Sequence, residues 1–310
     1  MFCYAIPRAH NKRGLIFEFP QNNQVQVVAI KLYCWKEILD FHDEKKSEDP
    51  LQEVGAMQFM AEDSHQHVLG CDEVLCDDDY MYTIMPYCPN SDLLSLIYDG
   101  TMGGLPESVA RYIFRRMIEN LQYLKDRGVV HRDISSENIM FDREGRCLFI
   151  DMGMAKRVPD GMKGQRRAML APEKRCGRYP YMAPEIHAGK VAYDGYGVDL
   201  WSSAVVLYSM LTGENKYSID DGCRILYHQA HKEDAVFRIL TRPDNRGLES
   251  LLSDWDVTMS EDAVDLLQSV FQLDPLDRPT LEDVMKHPWV NNPDVVTHDE
   301  FMAFLSRKRN

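Results

Sequence analysis

Apolar and polar positions follow two different periods along this chain, one over its first third and another over the rest. Residues 14–33 hold two runs of β-branched and aromatic side chains separated by the turn-like residues 20–23, which predicts two strands. Residues 81–85 form a further strand-like run that ends at Pro86. From Pro106 to Gly128, apolar residues recur three or four positions apart, as in a long amphipathic helix. The pattern predicts an α+β protein in which a small strand-rich part, ending near residue 86, precedes a larger helical part.

Shorter signals predict the remaining elements. Asp49-Pro50 is typical of a helix start, and Asp77–Asp79 is typical of a solvated turn between two strands. Residues 139–141 and 147–150 flank a turn and predict a hairpin. Further helices are predicted at about 197–212, 221–231, 260–272 and 280–287, and a short one at 300–305.

Composition narrows the class of protein. The 310 residues are 45 % hydrophobic and 27 % charged, as in soluble globular proteins. The chain has no apolar run of ~18 residues and no secretory signal pattern, so we expect no membrane span and a cytoplasmic location. Its eight cysteines occur singly, which favours free thiols over disulfides or zinc. The basic residues 307–309 are expected to be a solvated end, with nuclear import or calmodulin binding as the alternatives.

The net charge of −14 indicates which partners to expect. A strongly negative chain repels nucleic-acid phosphates, so nucleic-acid binding is disfavoured. The same charge suits a basic partner or peptide substrate. Acidic globular proteins are common, so this argument shifts the expectation only slightly.

The chemistry-bearing residues are concentrated in four short motifs. Asp133 and Asn138 stand five residues apart on one predicted loop, where a carboxylate can orient and deprotonate a substrate hydroxyl and an amide can help to hold Mg²⁺. Lys31 ends the run Val28–Lys31, Asp151 opens Asp151-Met152-Gly153, and Ala183-Pro184-Glu185 closes the series. Together these motifs resemble the eukaryotic protein kinase family from about residue 4 to about residue 290. His287–Val290 resembles the domain end of the serine/threonine, calcium/calmodulin-dependent-kinase-like group.

The resemblance implies a two-lobed fold. The N-lobe (1–86) would be a small antiparallel sheet with one main helix, the C-lobe (87–290) mainly helical, and 291–310 a tail. ATP and Mg²⁺ would be the cofactors and proteins the substrates.

The resemblance also implies roles for the charged residues. Lys31 would contact the α- and β-phosphates, with Glu53 as its partner and Glu44 or Glu62 as alternatives. Asp151 and Asn138 would be the metal ligands.

The nucleotide-binding residues match the family unevenly. Ala9, Asn11 and Gly14 take the three places of the glycine-rich loop, and only Gly14 is a glycine, which predicts weaker ATP binding. Residues after the strand at 81–85 would form the adenine site. Met85 would lie behind the base, the Pro86 carbonyl and the Cys88 N–H would pair with its edge, and Asp92 would meet the ribose or cap a helix at 93–98.

One departure from the family pattern concerns catalysis. Ser135 stands where serine/threonine kinases carry a lysine that touches the transferring phosphate, and Arg178 stands where they carry a threonine near it. We hypothesise that the charge has moved from the loop to Arg178 and stabilises the γ-phosphoryl group. The alternative is that Arg178 points to water and that the enzyme is slow or inactive.

A second departure concerns regulation. Residues 151–185 contain no serine or threonine, so activation by phosphorylation of such residues there is excluded, and Glu173 is expected to pair with Arg132 instead. The resemblance further implies a Glu185–Arg278 pair and bracing of the catalytic loop by Asp199. Met152 would fill the packing position of the family's usual phenylalanine.

Three functions fit the sequence to different degrees. An active protein serine/threonine kinase is favoured, because Lys31, Glu53, Asp133, Asn138 and Asp151 are all retained. A pseudokinase that acts as a binding or scaffold module is the alternative, suggested by Ser135 and the poor glycine loop. A small-molecule kinase is disfavoured by the peptide-docking motif at 183–185.

Overall fold

The computed structural model describes most of the chain. It covers residues 6–7, 14–21, 24–36, 38–39, 50–60, 66–98, 104–189, 191–213 and 226–308. None of the helices in these ranges is both long enough and apolar enough to cross a lipid bilayer.

The strands form one large sheet and three short two-stranded ladders. They are β1 (Ile6–Pro7), β2 (Gly14–Gln21), β3 (Gln24–Cys34), β4 (Glu73–Cys76), β5 (Tyr80–Pro86), β6 (Val129–Val130), β7 (Ile139–Phe141), β8 (Cys147–Phe149), β9 (Lys156–Arg157), β10 (Met169–Leu170) and β11 (Tyr193–Asp194). The ladders pair β6 with β9, β7 with β8 and β10 with β11.

The helices lie mainly in the second part of the chain. They are α1 (Pro50–Met60), α2 (Leu93–Ile97), α3 (Glu107–Arg127), α4 (Pro184–Ala188), α5 (Gly195–Thr212), α6 (Ala235–Leu240), α7 (Gly247–Asp254), α8 (Glu261–Val270), α9 (Leu281–Val284), α10 (Pro288–Asn291) and α11 (His298–Lys308).

The N-terminal lobe is a five-stranded antiparallel sheet with α1 beside it. Its strand order is β1-β2-β3-β5-β4, and the pairing sets Lys31 of β3 between Gly14 of β2 and Thr83 of β5. Val54 of α1 packs with Tyr33 and other buried apolar residues of the lobe. Because side chains alternate across a strand, the sheet points the Lys31 and Tyr33 side chains to the same face as α1.

The C-terminal lobe is built around α3 and α5, which pack against each other. The α3 helix ends at Gly128, whose φ of 69° lies in the left-handed region that glycine adopts most readily. Almost every residue of α5 is buried, and Trp201 in its middle is fully enclosed. A helix that is apolar on all sides is typical of a domain centre. The predicted two-lobed α+β architecture is confirmed.

Several elements of the C-lobe differ from the sequence-based prediction. The helix predicted at about 221–231 is wrong over 226–231, the part that the structure describes, because this segment is irregular. Leu226 and Tyr227 are buried, so their apolar pattern reflects tertiary packing. The next helix, α6, begins only after Asp234, whose carboxylate accepts N–H groups of its first turn. The short helices α4, α6, α7 and α10 were not predicted.

The described part of the tail packs against the C-lobe. The predicted helix at 300–305 is present as the longer α11, and its residues Phe301 and Leu305 are buried. The Phe301 ring lies 4.6 Å from the Tyr112 ring and 5.4 Å from the Phe141 ring, measured between centroids. Since Phe141 belongs to β7, the tail helix supports the hairpin that follows the catalytic motif.

The Phe301→Ala variant tests this support. Deleting a fully buried phenylalanine removes apolar contacts and leaves a cavity, so we expect a loss of about 3–5 kcal/mol in the free energy of unfolding. Urea denaturation followed by tryptophan fluorescence measures it. Phe304→Ala, at a half-buried position of the same helix, serves as the control and should lose much less. Equal losses in the two variants would contradict the proposed docking.

Candidate active site

The loop between β6 and β7 brings Asp133 and Asn138 together. The Asn138 side-chain N–H donates to the Asp133 carbonyl at 2.9 Å and to its carboxylate at 2.8 Å. Both residues are buried in the C-lobe. These two bonds use the side-chain nitrogen of Asn138, so its side-chain oxygen can contact other groups.

Asp199 of α5 holds the backbone of this loop. Its two carboxylate oxygens accept the N–H groups of His131 and Arg132, both at 2.7 Å. Arg132 has a φ of 66°, a strained value for a residue with a side chain. Burial raises the pKa of Asp199 to about 7, while the two N–H donors favour the ionised form. The bracing that the sequence predicted for Asp199 is confirmed.

Lys31 lies between two carboxylates from different elements. Its Nζ is 2.5 Å from Glu53 of α1 and 4.0 Å from Asp151. The predicted Lys31–Glu53 pair is therefore present, whereas Glu44 and Glu62 lie outside the described residues. Glu53 also accepts a 2.7 Å hydrogen bond from the Tyr33 hydroxyl, and burial together with this carboxylate raises the pKa of Tyr33.

Asp151 is held beside the catalytic loop. The Ile150 N–H donates to the Asn138 carbonyl at 3.0 Å, so the residue after it, Asp151, starts its turn next to Asn138. Asp151 has a φ of 64° and leads into the short 3-10 turn 152–154. The candidate metal ligands Asp151 and Asn138 thus lie in neighbouring segments.

The α1 helix is tied to the segment after Asp151. The Gln52 side-chain amide donates to the Ala155 carbonyl at 2.5 Å and to the Gly153 carbonyl at 3.3 Å. Met152 is fully buried in the same cluster as Met57 of α1. Met152 occupies an apolar packing position, as predicted.

The end of β5 and the residues after it pack in a small apolar cluster. Met85 and Cys88 lie in a small cluster with Leu148, against which Met140 and Ile150 also pack. Burial raises the pKa of the Cys88 thiol to about 12, so it stays neutral. Pro86, the last residue of β5, pairs with Val28 of β3. The role of Met85, Pro86 and Cys88 in adenine binding stays a prediction.

The sequence interpretation missed several residues around this site. Met140 stands two residues after Asn138 and Ile150 stands directly before Asp151, and their closeness to those motifs was the available signal. Tyr33, two residues after Lys31 on the same strand face, could have been found from strand alternation. Nothing in the sequence indicated that Gln52 would reach across to Ala155.

Asp92 caps α2. Its carboxylate accepts the Ser95 N–H at 2.7 Å and the Ser95 hydroxyl at 3.0 Å. Of the two roles expected for Asp92, the cap is present. Gly14 begins β2 opposite Lys31, whereas Ala9 and Asn11 lie outside the described residues.

Arg178 reaches into the catalytic loop. Its guanidinium donates to the Ser135 hydroxyl at 2.8 Å, lies 3.4 Å from the Asn138 side-chain oxygen, and forms an ion pair with Glu137. The side chain is 30 % exposed, so it does not simply extend into water. A cation therefore stands at the predicted place.

Glu173 forms ion pairs with two cationic side chains, Arg132 and Lys156. Its carboxylate is 2.7 Å from the Arg132 guanidinium and is also paired with Lys156 of β9. Burial lowers the pKa of Lys156, and the nearby Arg132 charge lowers it further. The predicted Arg132–Glu173 pair is present.

The segment from Cys176 to Glu185 is fixed at both ends. Gly177 has a φ of 85°, and a Cβ there would lie 2.7 Å from the Arg132 carbonyl oxygen, so only glycine fits against the loop. At the other end, buried Glu185 accepts two bonds from Arg278, at 2.5 and 2.8 Å, as predicted. Both ends of the segment are therefore held in place, and its Gly177 end lies against the catalytic loop.

Comparison with known proteins agrees with this geometry. A family model described as the protein kinase domain matches residues 12–290. The chain is 31 % identical over 237 residues to sperm motility kinase 3A of Mus musculus, which covers 76 % of this chain and 41 % of that protein. It is 31 % identical over 263 residues to the maternal embryonic leucine zipper kinase of Danio rerio, covering 85 % of this chain and 34 % of that protein.

A plant relative extends the set. The chain is 34 % identical over 206 residues to CBL-interacting protein kinase 4 of Oryza sativa subsp. japonica, covering 65 % of this chain and 42 % of that protein. The chain thus spans less than half the length of these relatives. Since the family match covers most of the chain, this protein belongs to the protein kinase family, and its relatives are consistent with the calcium/calmodulin-dependent-kinase-like group.

Proposed function

We propose that this chain transfers the γ-phosphoryl group of ATP to serine or threonine hydroxyls of protein substrates. The observation that carries the proposal is the position of Lys31, 2.5 Å from Glu53 and 4.0 Å from Asp151. A lysine held in this way is a fixed cation for nucleotide phosphates. A scaffold would have no use for such an arrangement next to the Asp133–Asn138 pair.

The donor set fits a magnesium ion. Mg²⁺ prefers oxygen ligands, keeps several waters and usually takes only one or two protein carboxylates plus phosphates. Asp151 supplies a carboxylate oxygen and Asn138 a side-chain amide oxygen. The described residues contain no group of three or more His, Cys, Asp or Glu side chains that could hold a metal ion. When bound, the ion would neutralise charge that develops on the phosphate oxygens.

Asp133 would orient and deprotonate the acceptor hydroxyl of the substrate. The Asn138 side-chain N–H donates a hydrogen bond to one oxygen of the Asp133 carboxylate at 2.8 Å, so this carboxylate has a defined orientation. Phosphoryl transfer passes through a loose transition state, in which orienting the hydroxyl matters more than strong basicity.

Arg178 supplies positive charge near the transferring group. Its contacts with Ser135 and with the Asn138 oxygen support this role, since both partners flank the ligands of the nucleotide site. A preorganised cation in a part-buried site stabilises developing negative charge without having to reorganise.

Serine and threonine are favoured over tyrosine as acceptors. Residues 134–138 lack the arginine that tyrosine kinases carry near this position, and Glu137 follows the serine/threonine pattern. Two further relatives are named as serine/threonine-protein kinases, one from Arabidopsis thaliana and one, as probable, from Saccharomyces cerevisiae. Weak ATP binding, expected from Ala9 and Asn11, stays a prediction.

We also propose that Glu173 keeps the site assembled without phosphorylation. Its contacts hold Arg132, next to Asp133, and Lys156 of β9. In Glu173→Ala both cations lose this carboxylate and repel each other, so we expect kcat to fall about tenfold, as for the loss of one charge-assisted hydrogen bond. Initial rates with a serine peptide measure it.

The control for Glu173 is Glu144→Ala, which removes an exposed carboxylate from the β7–β8 turn. It should leave kcat unchanged. Full activity in Glu173→Ala would remove the basis for a permanently assembled site.

The test of the proposed function is transfer of radiolabelled phosphate from ATP to a generic protein and to peptides that differ only in Ser, Thr or Tyr. We expect the Ser and Thr peptides to be labelled. The labelling should be lost when magnesium is chelated and should be absent with the Asp133→Asn variant. Folded wild-type protein that labels no substrate, or no more than Asp133→Asn does, would overturn the proposal in favour of a scaffold.

A further inference from the structure

Tyr33 contacts both members of the Lys31–Glu53 pair. Its hydroxyl donates to a Glu53 carboxylate oxygen at 2.7 Å, and the Lys31 nitrogen lies over its ring, 5.1 Å from the ring centre. Strand alternation places Lys31 and Tyr33 on the same face of β3. One side chain therefore holds the carboxylate through a hydrogen bond and attracts the ammonium group through an aromatic ring.

The hydrogen bond between Tyr33 and Glu53 lies inside the N-lobe. Glu53 is 5 % exposed and Tyr33 is 9 % exposed, and Tyr33 belongs to the apolar cluster that contains Val54 of α1 and Met81 of β5. Burial and the negative charge of Glu53 raise the pKa of Tyr33, so its hydroxyl keeps its proton and can donate. Hydrogen bonds to an ionised carboxylate are stronger than those between neutral groups. The bond therefore ties β3 firmly to α1.

Glu53 and the nucleotide phosphates would compete for the N–H donors of Lys31. The Lys31 nitrogen lies 2.5 Å from each of the two Glu53 oxygens. An ammonium group has a limited number of donors, so phosphates that bind Lys31 draw donors away from Glu53. A buried carboxylate that loses donors is costly. Because the Tyr33 hydroxyl stays on Glu53, the carboxylate can share Lys31 with the phosphates at a lower cost.

The adjacent strand carries a hydrogen bond of the same kind without a link to Lys31. The Tyr82 hydroxyl of β5 donates to the Asp77 carboxylate at 2.7 Å. Tyr82 is paired with Leu32 of β3, so its side chain lies on the opposite face of the sheet from the Lys31 side chain. The sheet therefore provides an internal comparison for the loss of one tyrosine hydroxyl.

We propose that Tyr33 is a positioning residue for nucleotide binding, whose hydroxyl holds Glu53 in place while Lys31 binds the α- and β-phosphates. The inference rests on the proposed function and adds a third member to the Lys31–Glu53 pair. Tyr33 touches no reacting atom in this role and acts only through its two neighbours. If Tyr33 served only to pack α1 against the sheet, its ring would be sufficient and its hydroxyl would have no effect on nucleotide affinity.

The test compares ligands with and without phosphates. Calorimetric titration in the presence of magnesium measures the affinities of the wild type and of Tyr33→Phe for ADP and for adenosine. The variant keeps the ring and loses the hydroxyl, so we expect its affinity for ADP to fall about tenfold, as for the loss of one hydrogen bond to a charged group. Adenosine has no phosphate for Lys31 to bind, and its affinity should stay the same.

Tyr82→Phe is the matched control, since it loses a tyrosine–carboxylate bond of equal length in the same sheet. It should bind both ligands as the wild type does. Thermal melting without ligand checks that each variant is folded. Incorporation of 4-aminophenylalanine at position 33 returns an N–H donor to the same ring. It should recover most of the affinity for ADP, which separates the lost hydrogen bond from a change in folding.

A double-mutant cycle tests whether Tyr33 acts through Glu53. Glu53→Gln removes the charged acceptor, so adding Tyr33→Phe to it should weaken ADP binding much less than in the wild type. Three results would each overturn the inference. They are an equally large further loss in the Glu53→Gln background, equal losses for ADP and adenosine, and wild-type affinity for ADP in folded Tyr33→Phe.

The two proposals fail separately, because ADP binding needs no acceptor substrate. If Tyr33→Phe selectively weakens ADP binding but the wild type labels no peptide, the role of Tyr33 in the nucleotide site stands and the kinase activity fails. If the wild type labels serine peptides and Tyr33→Phe binds ADP as tightly as the wild type does, the activity stands and the role of Tyr33 fails.

Discussion

Asp133→Asn is expected to abolish most phosphoryl transfer, with a fall in kcat of about 10³-fold, within the range for loss of a positioned general base. The amide has the shape of the carboxylate and can still accept the 2.8 Å bond from Asn138, so the loop should keep its conformation. It cannot take the hydroxyl proton and has no charge to orient it. Steady-state labelling of a serine peptide measures the loss.

Nucleotide binding separates chemistry from folding in this variant. Asp133→Asn should retain stabilisation by ATP and magnesium in a thermal shift assay, since Lys31, Glu53 and Asp151 are untouched. The matched control is Asp126→Asn, at an exposed position of α3, with unchanged kcat. Asp133→Asn protein that is folded, binds nucleotide and turns over at the wild-type rate would exclude Asp133 from the reaction.

The local elements that carry the site could be predicted from the sequence. Lys31 ends a β-branched run and lies within β3, and Asp151 follows the buried strand β8, so these two strands are set by local pattern. The Lys31–Glu53 pair was predicted by resemblance, and the choice of Glu53 over its neighbours came from the apolar residues that follow it in α1. These are features of short range along the chain.

Contacts that depend on how elements meet could not be predicted. Gln52 reaches Ala155 only because α1 packs on the turn that contains Met152, a relation between segments a hundred residues apart. The helix predicted at about 221–231, which is wrong over the described residues 226–231, has the same cause. Leu226 and Tyr227 are apolar because the C-lobe encloses them, and a short apolar run does not distinguish a buried irregular segment from a helix.

The charge around Arg178 illustrates the same limit. Net charge is a property of composition and describes the field far from the surface. The contacts of Arg178 with Ser135 and Glu137 join separate segments and appear only in the folded chain. The pairing of Arg178 with Glu137 offsets the charge of one carboxylate of the loop and brings a cation to it.

Arg178→Thr is expected to lower kcat about 10²-fold, the effect of removing one preorganised group that stabilises transition-state charge. The threonine cannot reach Ser135 or bring charge near the Asn138 oxygen, as the guanidinium does. Substrate binding should change less than kcat, because the cation acts mainly on the charge that develops during transfer. Full kinetics with ATP and a serine peptide give both constants.

A second substitution distinguishes lost charge from lost structure. In Arg178→Thr the space beside Ser135 is vacated, so adding Ser135→Lys places an ammonium group in the loop itself and should restore at least about tenfold of the lost kcat. Arg157→Thr, at an exposed arginine of β9, is the control and should be fully active.

Glu137→Gln completes the comparison, because it breaks the ion pair while leaving the Arg178 cation in place. It should keep most of the activity if the charge of Arg178 acts on the phosphoryl group. A loss in Glu137→Gln as large as that in Arg178→Thr would assign the arginine a structural role. Full turnover in Arg178→Thr itself would overturn the proposed catalytic role of Arg178. Recovery in the double variant can be explained only by charge, because lysine and arginine reach the site from different segments of the chain.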